Sequence, residues 1–560
     1  MKYITSDIES NNWINFLMIG LYDGTNYKIF DSLTKYLNYI EKNYSGYRVY
    51  FHNGGKFDFL FLFELLNERG EIDIIERGGS IIQIRYKYLK GRITFCDSYP
   101  LLPASLDSLI KTYKVKHKKI PINFNVKHNF NNKKLQQHLE NDCKALYNII
   151  EQTENVNNCL PLTIASLAMK VFTNDFFNGF IWQSSDKFDN YFRKNYYRGG
   201  RVEVLKGYGK NLYYYDVNSL YPFVMLNKMP VGKPIRTKRY MSEKIGFYKI
   251  ELLSNTKFII SPLIKRVKKS NYYVNGIKGE IFYLISPELK ILISKKIKFK
   301  ILDGYYFKQS EFLFNDYVNT YYKIKSTTKD EVQRYFSKLM LNSLYGKFGQ
   351  QLKGEKIESY KNQTDFKVFD AFNDLVLVSA DRNIKFKGVY LASYITSLAR
   401  AYHYNLMDNI GMKNIFYCDT DSIICNKKII TSNKIGGLKL ENRIKEGVFI
   451  SPKTYGIKLY SNKSIVHFKG FKSNSFTFND LKKLLNKQVN ELEQTGVKML
   501  GFRSSQSRKN NILKSAGNYL KLVNDRKILR FNYEKRVIIK DKKHVFITKP
   551  FNVDNINNNT

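Results

Sequence analysis

The sequence predicts an α+β chain of several domains, and three observations carry that reading. Short strand-like runs lead into carboxylates, at Tyr3-Ile4-Thr5 before Asp7 and at Leu212-Tyr213-Tyr214-Tyr215 before Asp216. Apolar residues fall at helical spacing over Leu135 to Ile150 and over Phe312 to Gly346. The 560 residues, 43% hydrophobic and 15% aromatic, suffice to fill more than one core. Lys and Arg total 92 against 49 Asp and Glu, a net charge of +43, and the lysines are interleaved with Tyr and Phe. That pattern asks for a polyanion, nucleic acid first, because cations track phosphates while rings stack on bases. No run of about 18 apolar residues occurs, so membrane insertion is not expected. Cys96, Cys143, Cys159, Cys418 and Cys425 show neither CxxC nor zinc-finger spacing, which argues for a reduced compartment without a cysteine metal site. No secretory signal precedes Asp7, no internal repeat is visible, and the tail Asn555–Thr560 is of low complexity.

Taken in order, Asp7-Ile8-Glu9 puts two acids on one face of a strand, since side chains alternate with period two. Tyr47 to His52 reads as a short strand running into Asn53-Gly54-Gly55, and Phe57 to Leu66 as a buried helix that begins beside Asp58. Asp142 lies in the Leu135–Ile150 helix, with His138 one turn before it. Together Asp7, Glu9, Asp58 and Asp142 are candidates for a two-metal site, although singly they also suit caps or a solvated helix face. Arg198-Gly199-Gly200 marks a turn, and a second α/β block starts at Asn211. Residues from about 228 to 320 read as strand-rich and basic, and about 350 to 380 as a small polar and aromatic insertion.

Tyr417-Cys418-Asp419-Thr420-Asp421-Ser422, between Ile415-Phe416 and Ile423-Ile424, reads as strand, tight turn, strand with two carboxylates at the tip. Hard divalent cations such as Mg²⁺ prefer oxygen ligands, so a rigid carboxylate pair suits them better than proton transfer. Asp216, at a strand end, offers a third acid. Two metals about 4 Å apart can clamp the attacking and leaving oxygens of an in-line phosphoryl transfer. Lys338, Asn342 and Tyr345 share one helix face, an arrangement suited to reading a nucleotide.

Asp216-Val-Asn-Ser-Leu-Tyr-Pro222, Lys338-xxx-Asn-Ser-x-Tyr-Gly346 and Tyr417-x-Asp-Thr-Asp-Ser422 resemble the three polymerase motifs of family B DNA polymerases, in the family's order. Lys453-Thr454-Tyr455 resembles the later Lys-x-Tyr motif, and Tyr197-Arg-Gly199-Gly200 the Tyr-x-Gly-Gly element that binds template and couples synthesis to proofreading. Asp7-x-Glu9, Asn53-xxx-Phe-Asp58 and the helix of Asp142 resemble the 3′–5′ exonuclease motifs, except that His138 stands where the family has Tyr. The resemblance implies a right-hand polymerase of palm, fingers and thumb behind an N-terminal RNase H-like exonuclease domain. By position, Asp216, Asp421 and the Val217 carbonyl would hold two Mg²⁺, for which Mn²⁺ can substitute, with Asp419 supporting the site. Tyr221 would sit under the incoming sugar and reject a 2′-OH by clash. Lys338 would meet the dNTP triphosphate, while Asn342 and Tyr345 would line the nascent base pair. Lys453 and Tyr455 would hold the primer strand, and Asn53, Tyr197, Gly199 and Gly200 would touch DNA. Asp7, Glu9, Asp58 and Asp142 would hold the nuclease metals, with His138 in place of the residue that orients the attacking water. Lys119 is a candidate for the nuclease lysine, its register blurred by Lys116-His-Lys-Lys119, and Asp97 reads as structural or DNA-facing.

The gaps between Asp216 and Lys338 and between Gly346 and Asp419 exceed what a bare palm and fingers need. They resemble the two insertions of the protein-primed branch, found in small phages and linear mitochondrial plasmids. The implied division is an exonuclease domain over 1–163, palm over 164–227 and 379–485, a first insertion contacting terminal protein and DNA over 228–317, fingers over 318–349, a second insertion for processivity and strand displacement over 350–378, and thumb with C-terminal tail over 486–560. The implied partners are template and primer DNA, dNTPs and a separate terminal protein, since Asp7 stands almost at the start. A monomer, plasmid- or organelle-encoded and working in the mitochondrion rather than in the cytoplasm of a virus-infected cell, is the expected setting. Two other readings stay open: a catalytically inactive DNA-binding remnant, and a nuclease with vestigial synthesis.

Overall fold

In the computed structural model the described residues are 2–560 without 269, 352, 361–365, 371–373, 382–385, 473, 508–518, 532, 534, 541–545 and 553–560. The low-complexity tail therefore lies outside them.

The N-terminal region is built on strand Tyr3–Asn11, which pairs antiparallel with Asn15–Tyr22 and parallel with Arg48–Phe51. Alternation divides its side chains. Ile4 and Ile8 enter a core with Val49, Phe51, Phe59 and Leu62, while the hydroxyl of Thr5 donates to the Cys143 carbonyl (2.8 Å) on helix Lys133–Asn157. Asp7 and Glu9 follow Thr5 at period two and so face that helix. The helix is longer than the Leu135–Ile150 expected, because Asn132 caps its first turn and the buried stripe continues to Thr153.

This sheet does not end with the N-terminal region. Its order runs Lys367–Asp370, Leu375–Asp381, Lys353–Ser359, Glu71–Arg77, Ser80–Tyr88, Gly91–Asp97, Arg48–Phe51, Tyr3–Asn11, Asn15–Tyr22, Tyr27–Phe30. The segment read as a small polar insertion therefore supplies three strands, joined to the N-terminal sheet through Ile357 opposite Ile74 and Glu358 opposite Asp73.

A second, antiparallel sheet of seven strands has the order Ser464–His467, Thr454–Leu459, Leu438–Ser451, Tyr208–Val217, Ser422–Cys425, Ile415–Asp419, Val202–Val204. Helix Val389–Ile410, mostly buried, lies against it, and His403 reaches the Ser422 carbonyl at 3.1 Å. The helical stretch expected over Phe312 to Gly346 is two helices, Asn315–Thr327 and Glu331–Phe348. Asp330 breaks it by capping the second helix, accepting from the Val332 and Gln333 amides (2.8 and 3.2 Å). Between strand Tyr208–Val217 and helix Asn315–Thr327, a four-stranded sheet with helix Ser286–Ser294 has its own core of Tyr248, Ile250, Phe282 and Leu289.

Two buried ion networks tie these parts together. Glu203 lies between Arg201 (2.5 Å) and Arg536 (2.9 Å); Arg536 also donates to the carbonyl of Ile259 and the hydroxyl of Thr548. Burial alone would raise the Glu203 carboxyl, but the two guanidiniums hold it below its usual value. Arg400 grips Glu288 with two donors and the carbonyls of Arg198 and Gly199 with a third nitrogen.

Removing Glu203 leaves two guanidiniums buried without their anion. Glu203→Ala is expected to lower the unfolding free energy by about 3–5 kcal/mol. Glu491→Ala, which breaks the exposed pair with Arg530, is expected to cost under about 1 kcal/mol. Urea titrations of the two variants check the contrast.

Candidate active sites

The hairpin Ile415–Cys425 turns over two residues, Thr420 and Asp421, and pairs Asp419 with Ser422. Thr420 takes the left-handed φ of +59° that such a turn needs, and its amide donates to the Arg201 carbonyl (2.6 Å). The neighbouring strand sets Asp216 opposite Ser422, and the Val217 amide donates to the Asp421 carbonyl (2.9 Å). Sheet register thus brings Asp216 and Asp421 side by side across two chain segments.

The three acids have different surroundings. Asp419 is satisfied: Lys453 Nζ stands 3.0 Å away, and the hydroxyls of Tyr417 and Thr420 donate to it at 3.3 and 3.1 Å. Among the described residues no ion pair neutralises Asp216 or Asp421. Burial and then Asp421 push the Asp216 carboxyl up to about 7, against the pull of Lys439 and Lys325. Burial also raises Asp421, with Asp419 adding to it. Two such acids, deprived of water and repelling one another, fit a divalent cation.

Both line a cavity of about 200 Å³, with Val217, Tyr221, Lys325, Lys338 and Asn342 on its other walls. The rings of Tyr221 and Tyr345 stack at 4.3 Å and 13°. Lys325 was not singled out by the sequence, where it is one lysine of a Lys-rich run. Its ammonium donates to Ser219 (2.8 Å), and its pKa is lowered by burial and by Lys338. Two ammonium groups repelling across a cavity form a place for phosphate.

The DNA-contact candidates divide. Gly199 is open, since a Cβ there would meet nothing within 4 Å. At Gly200 a Cβ would lie 2.7 Å from the Thr420 side chain, so glycine there lets the Asp419–Ser422 turn approach. Tyr197 packs its hydroxyl end on Gly349. Lys453 is committed to Asp419. Tyr455 is 7% exposed, its ring 5.0 Å from Tyr417 and 4.9 Å from His467, so it supports the hairpin from within and presents no open face to a primer.

The second acid cluster forms where expected. Asp58, in the first turn of helix Asp58–Arg69, accepts the Ile8 amide (3.1 Å). His138 Nε2 stands 3.4 Å from Glu9 and 3.7 Å from Asp142, while its Nδ1 donates to the Ile120 carbonyl (2.6 Å). Lys119 pairs with Asp142 at 3.0 Å. Asp142 Oδ1 is buried without a hydrogen-bond partner among the described residues. Burial and Asp142 push Asp7 up to about 7; burial, Asp7 and Asp142 push Glu9 up to about 9; burial and Asp7 raise Asp58. Burial lowers His138. Asp97 is structural, its carboxylate accepting the amides of Asn53, Gly55 and Tyr99. Asn53 itself is exposed in a left-handed turn (φ +62°).

Among the described residues no three or more His, Cys, Asp or Glu side chains form a ready metal cage. A crowded set of raised carboxyls and an orphaned oxygen still suit Mg²⁺, which keeps waters and takes phosphate oxygens for the rest of its shell.

The family profile described as DNA polymerase type B, organellar and viral, matches residues 39–138 and 123–426. The chain belongs to this family. It is 27% identical to a probable DNA polymerase of Ascobolus immersus over 91% of this chain and 49% of that one. To a probable DNA polymerase of Neurospora intermedia it is 28% identical, over 80% and 55%. With the DNA polymerase of Streptococcus phage Cp-1 it shares 27% identity, over 75% and 79%. It thus spans about half the length of the two fungal relatives. Among solved structures, Phi29 DNA polymerase complexed with primer-template DNA and incoming nucleotide substrates superposes with a TM-score of 0.74 at 20% identity, covering 95% of this chain and all of that one. The fold is therefore that of the Phi29 enzyme, and with the family match it is the right-hand type B polymerase fold that the motifs implied.

Carboxyls raised by folding bind protons that the unfolded chain has released, so the metal-free fold loses stability as pH rises. The unfolded values lie near 4 and the folded ones at about 7 for Asp7 and Asp216 and about 9 for Glu9. In chelator the melting temperature is expected to fall between pH 5 and pH 8. Mg²⁺ should restore it at pH 8 and hardly move it at pH 5. Calorimetric scans across that range check the sign.

Proposed function

We propose that the chain is a template-directed DNA polymerase of the protein-primed type with a 3′–5′ proofreading nuclease. One observation carries the synthetic reading: Asp216 and Asp421, without a counter-cation among the described residues, converge on a cavity whose other walls hold Lys325 and Lys338. Acids on one side and two lysines on the other fit a nucleoside triphosphate and the metals that travel with it. The polymerase names of the family relatives, and the primer-template DNA and nucleotides held by the superposed Phi29 enzyme, support the same reading.

In the proposed reaction a primer 3′-OH, or a hydroxyl of a separate terminal protein, attacks the α-phosphate of a dNTP and pyrophosphate leaves. Lys325 and Lys338 bind the triphosphate. Tyr221, braced by the Tyr345 ring, forms the floor under the sugar and leaves no room for a 2′-OH. Asn342 lies beside the incoming base. Lys453 neutralises Asp419, so that the remaining negative charge of the hairpin falls on Asp421. Two Mg²⁺, or Mn²⁺ in their place, held by Asp216, Asp421 and the Val217 carbonyl, would offset charge gathering at the reacting phosphate.

In the nuclease, Asp7, Glu9, Asp58 and Asp142 would hold a second metal pair. His138, fixed by its bond to Ile120, orients water where relatives of this kind carry a tyrosine. The division into palm, fingers, thumb and two insertions follows the sequence spans given above, with the strands of the second insertion supporting processivity and strand displacement. A monomer, encoded by a plasmid or organelle genome and working in the mitochondrion, completes the proposal.

Primer extension on a singly primed circle with Mg²⁺ and four dNTPs tests it. Wild type is expected to pass one full circle. Asp421→Ala should lose about a thousandfold or more in rate while still binding primed DNA. Asp7→Ala with Glu9→Ala should abolish degradation of the primer and leave extension. DNA binding without synthesis would mark an inactive remnant, and loss of all activity in the double variant a nuclease alone.

Lys325→Ala is expected to raise the KM for dNTP about tenfold with a smaller effect on kcat, as loss of one charged phosphate contact does. Steady-state extension kinetics over a range of dNTP concentrations separate the two constants.

A further inference from the structure

Trp13 belongs to none of the motifs and has no structural work that explains it. It sits in the turn between strands Tyr3–Asn11 and Asn15–Tyr22 and is 66% exposed. Asn12 and Trp13 are both left-handed, at φ +52° and +67°. Asparagine tolerates that region, but a bulky ring there is rare and held at a conformational cost. Only one edge of the indole is used, against Phe57 at 5.8 Å and 84°. Phe57 is the residue before Asp58. Trp13 itself is four residues beyond Glu9, no more than about 14 Å of extended chain.

A second exposed ring lies against His138 of the cluster. Phe124 is 53% exposed and stands edge-on to His138 at 6.1 Å. Its loop is clasped to the Trp13 turn by two bonds. Asn11 Nδ2 donates to the His128 carbonyl (2.8 Å), and the His128 amide donates to Asn11 Oδ1 (3.0 Å). Both rings are exposed, and Trp13 is held at a left-handed φ. Their flat faces suit unpaired nucleobases, which any sequence can supply.

We infer that Trp13 is a stacking platform for the unpaired bases of a single-stranded DNA end entering the Asp7/Glu9 site. The inference rests on the nuclease reading, yet its binding test does not require cleavage. The ligand class is single-stranded DNA, whatever its sequence. Duplex DNA, whose bases are already stacked, gains nothing from the ring.

The experiment uses the full chain carrying Asp7→Ala and Glu9→Ala, which cannot cut, with Trp182→Phe so that Trp13 is the sole tryptophan. Oligo-dT is expected to quench its emission, and a matched duplex is not. Trp13→Gly removes the ring and relieves the left-handed turn. It should keep or raise the melting temperature while weakening oligo-dT binding about 5- to 150-fold. Trp13→Phe should recover most of that affinity. Unchanged oligo-dT affinity in Trp13→Gly, or absence of quenching on binding, would overturn the inference. A fall in melting temperature with unchanged affinity would show the ring to be structural. If chain with Asp7 and Glu9 intact fails to shorten single-stranded DNA in Mg²⁺, the nuclease reading falls, while the quenching still decides whether Trp13 takes a base.

Discussion

The site of Asp216 and Asp421 depends on one register: Ser422 opposite Asp216. A slip of one residue would send Asp216 to the other face of the sheet, because strand side chains alternate. The register joins segments two hundred residues apart in the chain, so it is held by what flanks it rather than by the hairpin alone. Tyr215 and Val217 are buried on either side of Asp216, and Ile423 and Ile424 follow Ser422 into the core. Strand Leu438–Ser451 pairs along the other edge of Tyr208–Val217 and fixes Lys439 opposite Asp216. The acids themselves oppose this arrangement, since folding brings them together and out of water. Apolar burial around them offsets a repulsion that serves chemistry rather than stability.

The same logic explains where the protein buries salt bridges. A buried pair is weak evidence for stability but strong evidence for a fixed geometry once one partner is present. Glu203 sits on the short strand that borders Asp419; of its two arginines, Arg201 reaches the Ser261 carbonyl and Arg536 comes from the C-terminal segment. Arg400 leaves the helix beneath the catalytic sheet, meets Glu288 at the start of an inserted helix, and holds the carbonyls of Arg198 and Gly199. Backbone carbonyls held inward leave the open side of Gly199 free. Glu288 and Ser261 thus tie the region between residues 228 and 317 to the Arg198–Gly199 backbone and to the strand bordering Asp419.

Local patterns were legible in the sequence. Alternation placed Asp7 and Glu9 on one face, a turn gave the Asp419–Ser422 hairpin, and one helical turn joined His138 to Asp142. Each depends on fewer than ten consecutive residues. Features made by distant segments were not legible. Lys325 gains meaning only because two helices fold against the strand of Asp216. Gly200 is glycine because Thr420 lies on it, a contact across two hundred residues. Tyr455 matched a motif, but its burial follows from a sheet that packs it against Tyr417 and His467. The sheet that runs from the N-terminal strands into residues 353–381 has a junction of two residue pairs, too short to leave a pattern.

The two acid clusters differ in what surrounds them, and the difference separates the ligands that the proposed function gives them. Around Asp216 and Asp421 the opposing groups are cations, Lys325 and Lys338, on rigid helices. Such a wall suits a compact ligand carrying several charges at one end. Around Asp7 and Glu9 a single lysine, Lys119, faces four carboxylates, and the rim is aromatic: Trp13, Phe57 and Phe124. A ligand there must bring its own charge compensation in metal form and offer flat apolar faces to the rim. A nucleotide triphosphate satisfies the first description and an unpaired strand end the second. One basic chain can thus hold both sites without confusing them, because net charge attracts the polyanion to the surface while the local balance of rings and cations decides which part of it enters.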